Sequence, residues 1–161
     1  MVELREELRS AISDIRRLVY DLRPPALDDL GLAEALRRLA EHYGSEREQL
    51  SVLVEVPEDL PNLPAAVEVA VYRIVQEALT NVARHAQAHS CVVRLAVNEE
   101  VGLEIVDDGV GIPAECSAGV GLSSMRERAS ELGGSCVVER APEGGTRVLV
   151  RLPLPKESPK E

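Results

Sequence analysis

Residues 101–111 have the sequence VGLEIVDDGVG, an alternating apolar run that ends in two aspartates and two spaced glycines. Such alternation predicts a strand with one buried face. A carboxylate at a strand end can accept a hydrogen bond from an exocyclic amine, and glycines allow a ligand to approach closely or the backbone to take a positive φ. Asp107, Gly109 and Gly111 are therefore candidate binding residues, although Asp-Gly is also an ordinary turn signal.

A second predicted strand at 90–97 and a long predicted helix at 64–87 precede this run. Three candidate ligands, Glu77, Asn81 and His85, are spaced by four residues and therefore share one face of that helix. The cation Arg84 stands one residue before His85. Oxygen ligands of this kind suit Mg²⁺, and a cation suits a phosphate. A solvated helix face with no ligand is the plainer alternative.

Downstream, residues 119–124, GVGLSS, place a glycine pair at the start of a helix predicted at about 122–132. Backbone N–H groups at a helix N-terminus form an anion site, whereas a flexible loop with a serine cap would have the same sequence. Gly133 and Gly134 are expected to cap this helix. Strands at 135–140 and 146–152 follow, joined by a Pro-Glu-Gly-Gly turn.

The chain begins with a predicted helix at 2–22. Its apolar residues have heptad spacing, which favours packing on a partner helix over packing on the helix's own domain: Leu4, Leu8, Ala11, Ile15, Leu18 and Leu22. Pro24 and Pro25 end the helix. Residues 26–31 are then expected to form a turn, and a further helix runs from Leu32 to about Glu48.

A strand at 50–56, LSVLVEV, brings the predicted strands to five. Strands and helices do not alternate in the βαβ rhythm of a doubly wound fold. With helices segregated to one face of the sheet, the predicted fold is an α+β two-layer sandwich.

The 161 residues carry a formal net charge of −10. Such a surface repels phosphate backbones, so nucleic acid is not expected as a partner; a nucleotide can still bind where Mg²⁺ and backbone N–H groups neutralise its phosphates. Cys91, Cys116 and Cys136 form no CxxC pair, so neither a disulfide framework nor a zinc site is indicated, and Cys91 and Cys136 are predicted core residues. Without a signal peptide or long apolar stretch, we expect a soluble, cytoplasmic piece of a longer protein that makes no direct membrane contact.

Together these motifs resemble the GHKL ATPase superfamily with its Bergerat fold, and within it the sensor histidine kinases of the NarL/DesK/LiaS type. YRIVQEALTNVARHA (72–86) is similar to the kinase N box, and DDGVGI (107–112) to the first glycine box. GVGLSSMRERA (119–129) is similar to the second glycine box, and EGGTRVLVRLPL (143–154) to the closing strand pair. IRRLVYDLRPPALDDLGLAEAL (15–36) resembles the junction between the dimerisation helix and the catalytic domain.

The resemblance implies a mixed five-stranded sheet and a division of the chain into three parts. Residues 1–23 would be the second helix of a dimerisation domain, 24–154 the catalytic ATP-binding domain, and 155–161 a disordered tail. The lid at 112–118, IPAECSA, has the seven-residue length expected of this subfamily.

Residue roles also follow from the resemblance. Asn81 would hold Mg²⁺ on the ATP phosphates, with Glu77 supporting the metal or its water as the second catalytic residue. Asp107 would accept the adenine amine, and Thr146 would fix adenine through water. The implied ATP-binding set is Asn81, Arg84, His85, Asp107, Gly109, Gly111, Gly119, Gly121, Leu122 and Thr146.

By the same resemblance, the γ-phosphoryl group of ATP passes to a histidine on the dimerisation helix of a homodimer, and then to an aspartate of a LuxR/NarL-type response regulator. His42, His85 and His89 lack the HDxxxQ/R-like setting of that acceptor, so residues 1–161 are expected to bind ATP without efficient self-phosphorylation. Two alternatives remain open: an anti-sigma-factor serine kinase of the same fold, and a nucleotide-binding or dimerisation module without catalysis. Membrane anchoring of the longer protein is also left open.

Overall fold

The computed structural model describes residues 2–21, 23–46, 50–111 and 120–156. Its elements follow the predicted order. They are α1 (Val2–Asp21), α2 (Pro25–Glu46), β1 (Ser51–Glu55), α3 (Ala65–Asn81), a π-helical turn (Val82–Ala86), β2 (Ser90–Val97), β3 (Glu100–Asp107), α4 (Val120–Glu131), β4 (Ser135–Arg140) and β5 (Thr146–Pro153).

The five strands form one sheet in the order β1-β2-β3-β5-β4. β1 runs parallel to β2, whereas the other three neighbouring pairs are antiparallel, so the sheet is mixed. This confirms the predicted α+β class.

One face of the sheet is buried under the helices. Alternate residues of β2, β3 and β5 point into a continuous aliphatic core, as period-2 strands with one covered face require. Fully buried side chains of the core come from every layer: Leu36, Ile74, Leu79, Val93, Leu103, Met125 and Val150. Cys91 is buried in this core and Cys136 is half-buried against it, while Cys116 lies outside the described residues.

The turn predicted at 26–31 is wrong, because α2 already begins at Pro25. Proline is tolerated at the first helical position, where its missing N–H has no intrahelical partner in any case. The N–H of Leu27 donates to the Pro24 carbonyl at 3.0 Å and closes the first turn. A kink at Gly31, with φ 78°, divides the helix. Leu27 and Leu32 are buried on either side of it, so both halves are held to the core.

The long helix predicted at 64–87 is α-helical only as far as Asn81 and continues as the π turn Val82–Ala86. It ends at Gln87, which has a left-handed φ of 51°. A π turn bonds residue i to i+5, and such turns are frequent at functional sites. Glu77 and Asn81 are therefore one α-helical turn apart, whereas the step from Asn81 to His85 crosses a wider turn.

The heptad residues of α1 whose side chains the structure describes are exposed. Leu4 is 63%, Leu8 55% and Ile15 58% exposed. Packing of this stripe on its own domain's core, the alternative considered from the sequence, is thus not observed at these three positions. Among the described residues, no helix is long and apolar enough to cross a membrane.

Candidate functional site

Asp107, the last residue of β3, is the only charged side chain among the described residues that is buried, at 5% exposure. Its Oδ1 accepts hydrogen bonds from the backbone N–H groups of Gly109, at 2.8 Å, and Thr146, at 3.4 Å. One carboxylate therefore joins the first glycine box to the start of β5. These contacts bring together residues of two motifs that the sequence nominated separately.

The electrostatics of Asp107 are those of a group that has been taken out of water. Burial raises the pKa of its carboxyl above the ordinary value, the N–H groups of Gly109 and Thr146 oppose the rise, and the negative charge of Asp108 adds to it. A buried carboxylate is costly unless it is hydrogen-bonded. A donor from a bound ligand would stabilise the ionised form further.

Two glycines with a positive φ, Gly145 and Gly111, occupy crowded positions in this part of the site. A Cβ on Gly145, whose φ is +86°, would stand 2.0 Å from the main-chain oxygen of Asp107. A Cβ on Gly111, whose φ is +78°, would stand 3.2 Å from both the Gly145 oxygen and the Arg140 Nε. The sequence nominates Gly111 as a binding residue, but it identifies Gly145 only as part of the turn and of the closing strand pair. Its signal was the second of two adjacent glycines just before Thr146.

Asp108 makes a second set of contacts that the sequence analysis missed. Its Oδ1 accepts the N–H groups of His89, at 2.8 Å, and Ser90, at 2.9 Å, and its Oδ2 accepts the Ser90 hydroxyl at 3.1 Å. The Ser90 backbone bond is the main reason that the pKa of Asp108 lies below its usual value, with the other hydrogen bonds outweighing partial desolvation. The two neighbouring carboxyls thus have opposite pKa shifts. The pKa of the buried Asp107 is raised, and the pKa of the exposed Asp108 is lowered.

The predicted phosphate-side residues lie on α3 and its π turn. Glu77 and Asn81 are half-buried and Arg84 is exposed, while the side chain of His85 lies outside what the structure describes. α3 is braced against α2 by a hydrogen bond of 2.7 Å between the hydroxyls of Tyr43 and Thr80. This brace holds the helix that carries the candidate ligands.

Binding of a metal ion at this position would need the phosphates of a bound nucleotide as well as protein side chains. The described residues contain no group of three or more His, Cys, Asp or Glu side chains suited to a metal ion. Mg²⁺ is usually held by one or two protein oxygens together with substrate phosphates and waters, not by an all-protein cage. The Asn81 amide oxygen and the Glu77 carboxylate fit that sparse donor set.

The second glycine box is described only in part. Gly119 and the lid at 112–118 lie outside the described residues. Gly121 is in the first turn of α4, and Leu122 is buried in the core beside it. The predicted cap of α4 is confirmed, since Gly133 takes φ +75° and the N–H of Gly134 donates to the Ala129 carbonyl at 2.8 Å.

Comparison with known proteins assigns the chain to a family. Residues 66–156 match the family described as histidine kinase-, DNA gyrase B-, and HSP90-like ATPase. This range is more than half of the chain, and the chain belongs to that ATPase family.

Curated relatives narrow the resemblance to one kind of member. The chain is 35% identical over 160 residues to the sensor histidine kinase MctS of Rhizobium johnstonii, covering 96% of this chain and 34% of the relative. It is 37% identical over 154 residues to the histidine-protein kinase/phosphatase UhpB of Salmonella typhimurium, covering 94% and 30% respectively. It is 35% identical over 147 residues to LiaS of Bacillus subtilis, covering 89% and 40%. The chain thus spans roughly a third of the length of these relatives.

Solved structures of histidine kinases have the same fold as this chain. The blue-light activated histidine kinase EL346 of Erythrobacter litoralis superposes with a TM-score of 0.67 at 28% identity, over 78% of this chain and 42% of that one. The ATP-binding domain of PrrB from Mycobacterium tuberculosis gives 0.58 at 25% identity, over 78% and 95%. The predicted resemblance to the catalytic ATP-binding domain of sensor histidine kinases is confirmed, and these relatives lend no support to the serine-kinase alternative.

Proposed function

We propose that this chain is the catalytic part of a two-component sensor histidine kinase. It binds ATP with Mg²⁺ and transfers the γ-phosphoryl group to a histidine on a dimerisation helix outside residues 1–161, in a homodimer. The phosphoryl group then passes to an aspartate of a response regulator of the LuxR/NarL type. The observation that carries this proposal is the buried carboxylate of Asp107, held between the two glycine-flanked segments of an ATPase fold.

Adenine recognition follows from the hydrogen-bonding capacity of that carboxylate. An ionised carboxylate has about four acceptor positions on its two oxygens, and the two backbone N–H groups on Asp107 both use Oδ1. The adenine amine is a donor of the right kind for Oδ2. Thr146, which begins β5 next to this carboxylate, would fix the base through a water, and Gly109, Gly111, Gly121 and Leu122 would complete the pocket with Gly119.

The phosphate side of the proposed site is formed by α3. Asn81 would orient the triphosphate through the metal, Glu77 would hold a metal-bound water, and Arg84 or His85 would face the phosphate charge. When bound, Mg²⁺ would neutralise charge on the phosphoryl oxygens. Phosphoryl transfer is catalysed mainly by such electrostatic stabilisation together with positioning of the reactants. The protein's own contribution is to position the reactants.

The acceptor is proposed to come from elsewhere in the kinase because the histidines of this chain are unsuited to the role. His42 is an exposed residue of α2 whose ring packs edge-on to Tyr43, with centroids 5.3 Å apart. The exposed apolar stripe of α1 supports its assignment, with residues 1–23, to the dimerisation domain. We likewise propose 24–154 as the catalytic domain and 155–161 as a tail.

Labelling experiments with γ-labelled ATP test the proposal. Residues 1–161 alone should incorporate little or no label, and a separately supplied dimerisation segment carrying the histidine should acquire acid-labile label slowly. Tethering the segment to the chain should accelerate transfer, because it raises the effective concentration to about millimolar. Robust acid-labile labelling of residues 1–161 alone would contradict an external acceptor, with His42→Ala locating the label. Acid-stable label on serine of an added protein would favour the serine kinase.

A further inference from the structure

We propose that Asp108 is a positioning residue that ties the adenine-binding end of β3 to the segment leaving the phosphate-side helix. The inference rests on the proposed function and assigns a role to a residue that the proposed function does not use. Three hydrogen bonds converge on its carboxylate, from the N–H groups of His89 and Ser90 and from the Ser90 hydroxyl. A fourth bond runs from its own N–H to the Ser90 carbonyl, at 3.2 Å.

The place of these bonds in the chain gives them their meaning. The π turn ends at Gln87, and only Ala88 separates Gln87 from the first residue held by Asp108. On the other side, Asp108 directly follows Asp107 in the chain. One exposed carboxylate therefore spans the gap between the candidate phosphate-side turn and the candidate adenine acceptor.

A plain role as a strand-end cap is the competing explanation. Asp108 is exposed and lies just beyond Cys91 and Asp107, the last pair of the β2–β3 ladder. A cap would contribute stability but would affect every ligand of the site equally. A positioning residue has a different signature. The bonds that Asp107 accepts from Gly109 and Thr146 do not involve Asp108, so a change at Asp108 should preserve the binding of adenine alone. The added affinity of the triphosphate depends on the relative placement of the two segments and is lost.

The experiment compares Mg²⁺-ATP with adenosine as ligands of residues 1–161, using calorimetry for ATP and ligand-detected NMR for adenosine. Asp108→Ala should weaken ATP binding about tenfold, equivalent to one hydrogen bond to a charged group, and change adenosine binding less than about twofold. Asp108→Asn keeps an acceptor oxygen for the two N–H groups and should restore the ATP-to-adenosine ratio. Asp108→Glu keeps the charge but displaces it by one methylene, and should behave like Asp108→Ala.

Each outcome bears on one claim. An unchanged ATP-to-adenosine affinity ratio in Asp108→Ala, whether both affinities fall together or neither falls, overturns the positioning role but not the proposal that the chain binds ATP. Full function in Asp108→Glu overturns it as well, because charge alone would then suffice. If Asp108→Ala does not fold, the Asn and Glu variants still decide between geometry and charge. Failure of the unmodified chain to bind ATP would overturn the proposed function, and the positioning role with it.

Discussion

The α-carbon of Gly145 lies against the main-chain oxygen of Asp107, so closely that a Cβ at position 145 would stand 2.0 Å from that oxygen. The two residues belong to different hairpins, at the end of β3 and just before β5. Their contact places the N–H of Thr146 within reach of the Asp107 carboxylate. The one buried charge among the described residues is thus held by a backbone approach that only glycine permits.

Replacing Gly145 by alanine tests this contact, and Gly144 offers a matched control. Both glycines have a positive φ, +86° and +96°, but a Cβ on Gly144 would meet nothing within 4 Å. Gly144→Ala should therefore cost only the strain of the left-handed backbone, about 1–2 kcal/mol of unfolding free energy. Gly145→Ala should cost a further ~1–3 kcal/mol for the clash and weaken nucleotide binding, as measured by urea unfolding and calorimetry. Equal costs for the two variants would show that the backbone moves freely at Asp107.

Substitution of the carboxylate itself tests adenine recognition. Asp107→Asn replaces an acceptor of the adenine amine by an amide, and should weaken ATP binding by about 1–3 kcal/mol. Asp59→Asn, at an exposed position, is the control for loss of one negative charge and should leave affinity unchanged. Calorimetry that finds wild-type affinity in Asp107→Asn would remove Asp107 from this role.

The pH dependence of binding follows from the pKa shift of the same group. Ionised Asp107 is a stronger acceptor for the adenine amine than the protonated acid, so affinity is highest above its pKa in the folded protein and falls as pH falls through that value. Burial raises the pKa, so the loss should begin at a higher pH than for an ordinary aspartate near 3.8. The amide of Asp107→Asn does not titrate. Any loss of affinity at low pH that this variant shares with the unmodified chain is therefore due to protonation of the nucleotide. Identical pH profiles would contradict the assignment.

The sequence predicted the elements of this fold well because their signals are local. The alternation in 101–107 and the helical repeat in 64–87 each depend on burial of one face, and the structure has β3 and α3 there. Prediction failed where two local rules competed. The break that Pro24 and Pro25 indicated is present, since α1 ends at Asp21, but the turn predicted at 26–31 is not. Proline is tolerated at a first helical position, and α2 begins at Pro25 with Leu27 buried.

The contacts that complete the candidate site could not be predicted because they are not local. Gly145 meets Asp107 only once β5 pairs with β3, and Asp108 reaches Ser90 only once β3 pairs with β2. Neither the registers nor the exchanged positions of β4 and β5 are encoded in the pattern of any single segment. The glycine and aspartate doublets were visible in the sequence, but their partners were not.

The outer face of the sheet shows the same dependence on strand order. Glu104 of β3 accepts hydrogen bonds from Arg94 of β2 at 3.0 Å and from Arg147 of β5, whose Nη2 lies at 2.7 Å. Arg94 also donates to Glu55 of β1 at 2.7 Å, and Arg147 pairs with Glu139 of β4 at 3.5 Å. Five alternating charges, one from each strand, therefore cross the whole sheet. Networks of this kind contribute more than isolated surface pairs.

Burial alone would raise the pKa of Glu104, but the hydrogen bonds and charges of Arg147 and Arg94 outweigh it and lower the pKa. A lowered pKa in the folded state gives stability that is present above the unfolded value, near 4.5, and lost as pH falls through the folded one. Glu104→Gln should thus reduce the free energy of unfolding at neutral pH by about 1–2 kcal/mol, as for hydrogen bonds to a charged group discounted for partial exposure.

Urea unfolding across pH and salt checks this central position, with Glu58→Gln, an exposed carboxylate outside the charge chain, as the matched control. The difference between the unmodified chain and Glu104→Gln should be full above about pH 4.5, shrink below it, and vanish once pH is below the lowered pKa of Glu104 in the folded state, because protonation then removes the same charge that the substitution removes. In 1 M salt, where the Debye length is about 3 Å, the difference should shrink but not disappear, since Glu104 is partly shielded between two arginines. A penalty that is independent of pH would mean that packing, and not charge, is what Glu104 contributes to the sheet.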